Sequence, residues 1–149
     1  MPPRQAAPHY SPAVFRRRLH QLILVLYAAA LVGMVGMVIG AYLNDREINS
    51  NPGRALATVS SVDWMRTSVD YQDSEGIYHS PPTGLLYPTG LGEGQQVWVA
   101  YSRSNPDLVK VEGREWTLSL IPALSSVAVA TAVAGALWWL VSRLTARRK

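Results

Sequence analysis

The chain has no cysteine, a single phenylalanine and only three histidines. Without cysteine there is no disulfide, no thiolate metal site and no thiol nucleophile. Charge is missing in two places as well. Leu22 to Leu43 is a run of 22 residues with no charged side chain and nothing more polar than Tyr27 and Tyr42. At about 1.5 Å per residue it reaches roughly 33 Å as a helix, the thickness of a hydrocarbon core of about 30 Å. A second apolar block opens with Trp116, meets Pro122, and closes at Val141 before Arg143. Pro122 fits the first helical turn, where its missing N–H costs nothing.

Acidic residues are absent from both ends. Arg4, Arg16, Arg17 and Arg18 precede the first block, and Arg143, Arg147, Arg148 and Lys149 follow the second. All ten acids lie between Asn44 and Glu115, against Arg46, Arg54, Arg66, Arg103, Lys110 and Arg114, so the middle is net acidic within a chain of formal charge +4. Lys and Arg flanking a membrane helix stay cytoplasmic, and here both flanks agree. The expectation is a multi-pass plasma-membrane protein with both termini cytoplasmic and residues 44–115 extracytoplasmic. The basic tails need only the lipid bilayer as partner. No aromatic platform or nucleic-acid fold accompanies them. A cleaved signal peptide is disfavoured, because the apolar run exceeds a signal h-region and ends in Tyr42-Leu43-Asn44-Asp45 without a small-x-small site.

Residues 1–21, rich in proline and small polar side chains at the start, read as a flexible basic cytoplasmic tail. Residues 22–43 are transmembrane helix 1, 116–142 transmembrane helix 2 and 143–149 a second basic tail. Within the first helix Gly36 and Gly40 form a GxxxG pair, and Ala29 and Gly33 extend the small-residue pattern. Ala128, Ala132 and Ala136 offer a matching face on the second, which predicts a tight helical hairpin. Arg16, Arg17, Arg18, Trp116, Trp138 and Trp139 are the interfacial anchors.

Between the helices the chain turns polar from Asn44, and Asn51-Pro52-Gly53 reads as a turn. Alternating segments follow at 55–62, 64–71, 77–80, 95–101 and 108–112, the second placing Met65, Thr67, Val69 and Tyr71 on one face. Asp73-Ser74-Glu75-Gly76 supplies a hairpin turn. Pro81 to Gly94 is an irregular crossing anchored by Leu85, Leu86, Tyr87 and Leu91, a candidate partner or ligand loop. The fold class expected is an α+β membrane protein, two transmembrane helices flanking a small antiparallel β domain of about five strands.

Chemistry is sparse. His79 stands near Asp70, Asp73 and Glu75, but a zinc site wants three well-placed ligands and this spacing supplies none. Carboxylates in a hairpin turn serve solubility and backbone capping. Ser80 follows His79 directly and so projects to the opposite face of a strand, which argues against a serine nucleophile. Gly90-x-Gly92-x-Gly94 lacks the Lys and Ser/Thr of a phosphate loop. No charge lies within either apolar block to carry protons or ions. The reading is a chain with no enzymatic activity, no cofactor, no metal and no evident soluble substrate.

Val69-Asp70-Tyr71-Gln72-Asp73-Ser74-Glu75-Gly76, the Tyr87-Pro88 and Leu91-x-x-Gly94 that follow, Val97-Trp98-Val99-Ala100-Tyr101 and Asn105-Pro106 occur in order between two apolar helices. Over about residues 22–142 this set resembles the bacterial two-helix membrane proteins grouped as domain of unknown function 3592. The Arg-rich tails and Gly113-Arg114-Glu115-Trp116 resemble the actinobacterial type. The resemblance implies a small extracytoplasmic β domain and no catalytic residues. It also implies an accessory or structural subunit of an integral membrane protein complex. The cytochrome bcc–aa3 respiratory supercomplex is a candidate host, although the sequence carries no haem or copper ligand pair. The competing readings are an accessory of a cell-envelope glycosyltransferase or lipid-transport assembly, and a stand-alone lipid- or ligand-binding module.

Overall fold

The computed structural model describes residues 11–146. The first ten residues of the expected flexible tail and the basic residues 147–149 lie outside that range. Two long apolar helices flank a five-stranded antiparallel sheet, α1 Pro12–Ser50, β1 Pro52–Val62, β2 Thr67–Gln72, β3 Tyr78–His79, β4 Gln96–Ser102, β5 Val109–Val111 and α2 Leu120–Ala146, with a 3-10 turn at Trp116–Ser119 before α2. Both helices are long and apolar enough to cross a membrane.

Helix α1 is longer than the apolar run at both ends. It starts at Pro12, so the part of the expected tail from Pro12 to Gln21 is helical. Ser11 accepts the first backbone bonds through its carbonyl, from Val14 at 3.0 Å and Phe15 at 3.2 Å, and Pro12 takes the first helical position. At the other end the helix continues through the polar Asn44–Ser50 instead of stopping at Leu43. Asp45, Ile48 and Asn49 stand at i, i+3 and i+4. Asp45 and Ile48 are buried, and that tertiary contact carries the helix past the apolar boundary.

The chain divides into two compact units, the residues up to Val35 with those from Leu124 onward, and Gly36–Ala123. In the first, α1 and α2 meet through polar and aromatic side chains. Thr131 donates to the Val127 carbonyl at 2.8 Å, which leaves its oxygen to accept from Tyr27 Oη, also at 2.8 Å. His20 stacks on Trp138 with ring centroids 3.9 Å apart. The small-residue face does not make this contact. A Cβ added at Gly33 would meet nothing within 4 Å.

In the second unit the strand order is β3-β2-β1-β4-β5. Strand β1 alternates strictly, with Gly53, Ala55, Ala57 and Val59 inward. Their small size makes room for two tyrosines from the neighbouring strands. Gly53 pairs with Tyr101 and Ala57 with Tyr71, and the two rings lie 5.0 Å apart. Val69, Val99, Val109 and Val111 complete the core, which Leu85 closes from the 81–94 crossing. Strand β2 begins at Thr67 rather than Trp64. Asp63 N bonds Arg66 O at 2.9 Å, so residues 63–66 form the hairpin turn, and Met65, expected on the inner face, is 78% exposed.

Candidate functional site

Strand β5 reads Val-Lys-Val, and all three residues are buried. The pleat sends Val109 and Val111 into the core, so Lys110 points the other way. There it meets the last turns of α1. Lys110 Nζ donates to Asp45 Oδ1 and, at 3.2 Å, to Asn49 Oδ1, while Asn49 Nδ2 donates to Asp45 Oδ2 at 3.3 Å. Asp45 is 4% exposed and Lys110 5%. Two ions taken this far from water are tolerable only because each satisfies the other and the amide adds one acceptor for Lys110 and one donor for Asp45.

The 86–89 segment lies against the same corner. Leu86 forms an isolated parallel bridge with Lys110. Tyr87 holds a left-handed φ of 55°, its hydroxyl lies 3.5 Å from the Ala41 carbonyl, and its own carbonyl, like that of Thr89, accepts from Arg114 Nη1. Burial, and secondarily the Asp45 carboxylate, push the Tyr87 phenol above its ordinary pKa, which keeps it a neutral donor. Gly113, at φ 79°, turns the chain out of β5 so that Arg114 reaches those carbonyls and Trp116 reaches α1. Trp116 meets Tyr42 edge-on at 5.5 Å. Sequence reasoning missed Asp45, Asn49 and Lys110. The signals were a lysine between two inward valines and an Asp-x-x-Ile-Asn spacing just past an apolar span.

The histidine cluster is a turn device. Asp73 Oδ1 accepts from Glu75 N and Ile77 N, both at 2.9 Å, and Oδ2 lies 2.7 Å from His79 Nε2. The His79 hydrogen bond first, then that from Ile77, holds the Asp73 carboxyl below its usual range. Gly76 takes the left-handed position at φ 86°. Ser80 donates to Asp70, and so is not poised toward His79. Tyr71 donates to the Pro106 carbonyl, and burial raises its pKa with lesser help from Tyr101 and nearby carboxylates. Among the described residues no group of three or more His, Cys, Asp or Glu is placed to hold a metal.

The remaining expected site residues separate. Leu85 is 5% exposed in the core, Leu91 packs against it, and Leu86 and Tyr87 are half-buried. Arg16, Arg17 and Arg18 are exposed on the first turns of α1, and Trp139 lies under the Arg143 guanidinium at 4.6 Å. Ala29, Gly33, Gly36, Ala128, Ala132 and Ala136 are exposed, Gly40 is half-buried, and a Cβ added at Gly36 or Gly40 also meets nothing within 4 Å. No family model, no curated protein and no solved structure matches the chain.

Proposed function

We propose that the chain is a non-catalytic membrane protein, anchored by two spanning helices with both termini cytoplasmic, that acts by contact as an accessory subunit of a larger membrane assembly. The observation that carries this reading is the buried Asp45–Lys110 pair. It fastens the sheet to the end of α1 by an ionic contact made inside the protein. A sheet clamped to the end of its membrane helix presents one surface at a fixed place on that helix, which suits a subunit that acts by contact. The small-residue faces of α1 and α2, left open within the chain, supply the surface for a neighbouring helix. The loop reading of a ligand module receives less support, since Leu85 and Leu91 are spent on the protein's own core.

The test is purification of the tagged full chain in a mild detergent. A contact subunit brings down one assembly in fixed proportion, and recovery of the chain alone overturns the proposal. The eluate also separates the hosts. Haem absorbance identifies a respiratory supercomplex, and its absence beside envelope proteins identifies a glycosyltransferase or lipid-transport assembly.

A further inference from the structure

The apolar stretch of α1 ends at Leu43, and the next two turns of the helix border an open groove of about 510 Å³ whose far side is Glu115 and Trp116. Most polar groups around it are already committed. Asp45 belongs to Lys110 and Asn49, and Tyr42 and Trp116 are engaged with each other, their planes at 86°. Arg46 and Glu115 are not. These two exposed side chains of opposite charge line one groove, yet neither makes an ion pair or side-chain hydrogen bond with the other or with any described residue.

A cation and an anion that line one groove without pairing are the complement of a zwitterion. We infer that the groove binds the headgroup of a glycerophospholipid carrying a primary ammonium, its phosphate on Arg46 and its ammonium on Glu115. A guanidinium matches phosphate by paired N–H donors, and the bonds are charge-assisted. On the ammonium side stand the Glu115 carboxylate oxygens, and the last turn of α1 carries no basic residue to compete for them. Those oxygens are hydrogen-bond acceptors and call for N–H donors. A quaternary ammonium has none and would need an open aromatic box, which Tyr42 and Trp116 do not form because each occupies the other. The groove also begins within a turn of the last apolar residue, the level at which lipid phosphates lie. The inference rests on the membrane reading proposed above.

The experiment is native mass spectrometry of the delipidated full chain, mixed in detergent with phosphatidylethanolamine, phosphatidylcholine or phosphatidylglycerol of identical acyl chains. Phosphatidylethanolamine is expected to be retained at least tenfold better than the other two. Glu115→Gln should bring it down to the phosphatidylcholine level, and Arg46→Gln should weaken retention of all three. Both side chains are exposed, so neither change threatens the fold. Equal retention of the three lipids, or an unchanged preference in Glu115→Gln, overturns the site. Soluble phosphoethanolamine at the same concentration should not displace the lipid, and displacement would reassign the groove to a soluble headgroup. A parallel alkaline extraction of membranes keeps the two readings apart. A chain released by it defeats the membrane reading, while a retained chain without lipid preference defeats the groove alone.

Discussion

Lys110 Nζ donates to Asp45 Oδ1 across 65 residues of sequence, and both side chains are almost wholly withdrawn from water. Removing either partner strands a buried charge. Asp45→Asn and Lys110→Met should each cost about 3–5 kcal/mol, whereas the double variant should cost clearly less than their sum, because it leaves no ion behind. Thermal unfolding of the full chain in detergent measures all three. Additive losses would show that the two residues stabilise the domain independently. A β domain of this size has little core to spare, so the single variants should lie close to global unfolding.

The parts of this architecture that were legible in the sequence are those written as periodicity. Leu22–Leu43 announced a helix by excluding charge, and the alternation from Ala55 to Val62 announced a strand with one wet face. What was illegible depended on a distant partner. Asn44–Ser50 looks like a polar linker until Lys110 is set beside Asp45, and nothing near Lys110 in sequence names that carboxylate. Trp64 and Met65 misled for the opposite reason. Their apolar side chains continue the pattern of a strand, yet a backbone turn between Asp63 and Arg66 takes them out of the sheet. Gly33, Gly36 and Gly40 were visible as a face, but spacing alone does not say whether a helix of the same chain fills it.

Gly53 is the position where one added carbon should matter most. Its Cβ would lie 2.2 Å from the Tyr101 Cζ, and that ring is 2% exposed with Tyr71 behind it. Gly53→Ala is therefore expected to cost about 1–3 kcal/mol or more, by overpacking. Gly92→Ala, where a Cβ meets nothing within 4 Å, should stay within about 0.5 kcal/mol of the parent in the same melt. Equal stability of the two variants would mean that Tyr101 can leave β1.

The Asp73–His79 contact makes the β2–β3 hairpin sensitive to acid. Because the folded carboxyl titrates below its ordinary value, its contribution is fully present above the unfolded Asp pKa of about 3.9 and is lost as pH falls through the lower, folded value. His79→Gln should move the Asp73 titration, followed by carboxyl NMR, upward toward the ordinary range. It should not abolish the shift, since Ile77 N and Glu75 N still donate to the same carboxylate. An unmoved titration would assign the whole shift to the backbone.

The absence of native cysteine makes orientation directly measurable. Ser104 is exposed in the turn between β4 and β5, so a Ser104→Cys chain carries one accessible thiol on the β domain. If both basic flanks are cytoplasmic, as proposed, an impermeant maleimide should label it on intact cells. Labelling only after lysis would place the β domain inside and reverse the topology.

Gly36 separates self-packing from partner packing. A Cβ added there meets nothing beyond its own helical turn within 4 Å and the position is exposed, so Gly36→Leu should leave the melting of the isolated chain unchanged, or raise it slightly through better helix propensity, by up to about 1 kcal/mol. If the glycine face is where a neighbouring subunit's helix seats, the same leucine holds the two backbones apart and removes the close contact on which small-residue packing depends. The expected result is a chain of normal stability and membrane content that no longer co-purifies with its assembly. Unchanged co-purification would clear this face, and the contact would then have to lie on the β domain or on α2, where the corresponding variant is Ala132→Leu.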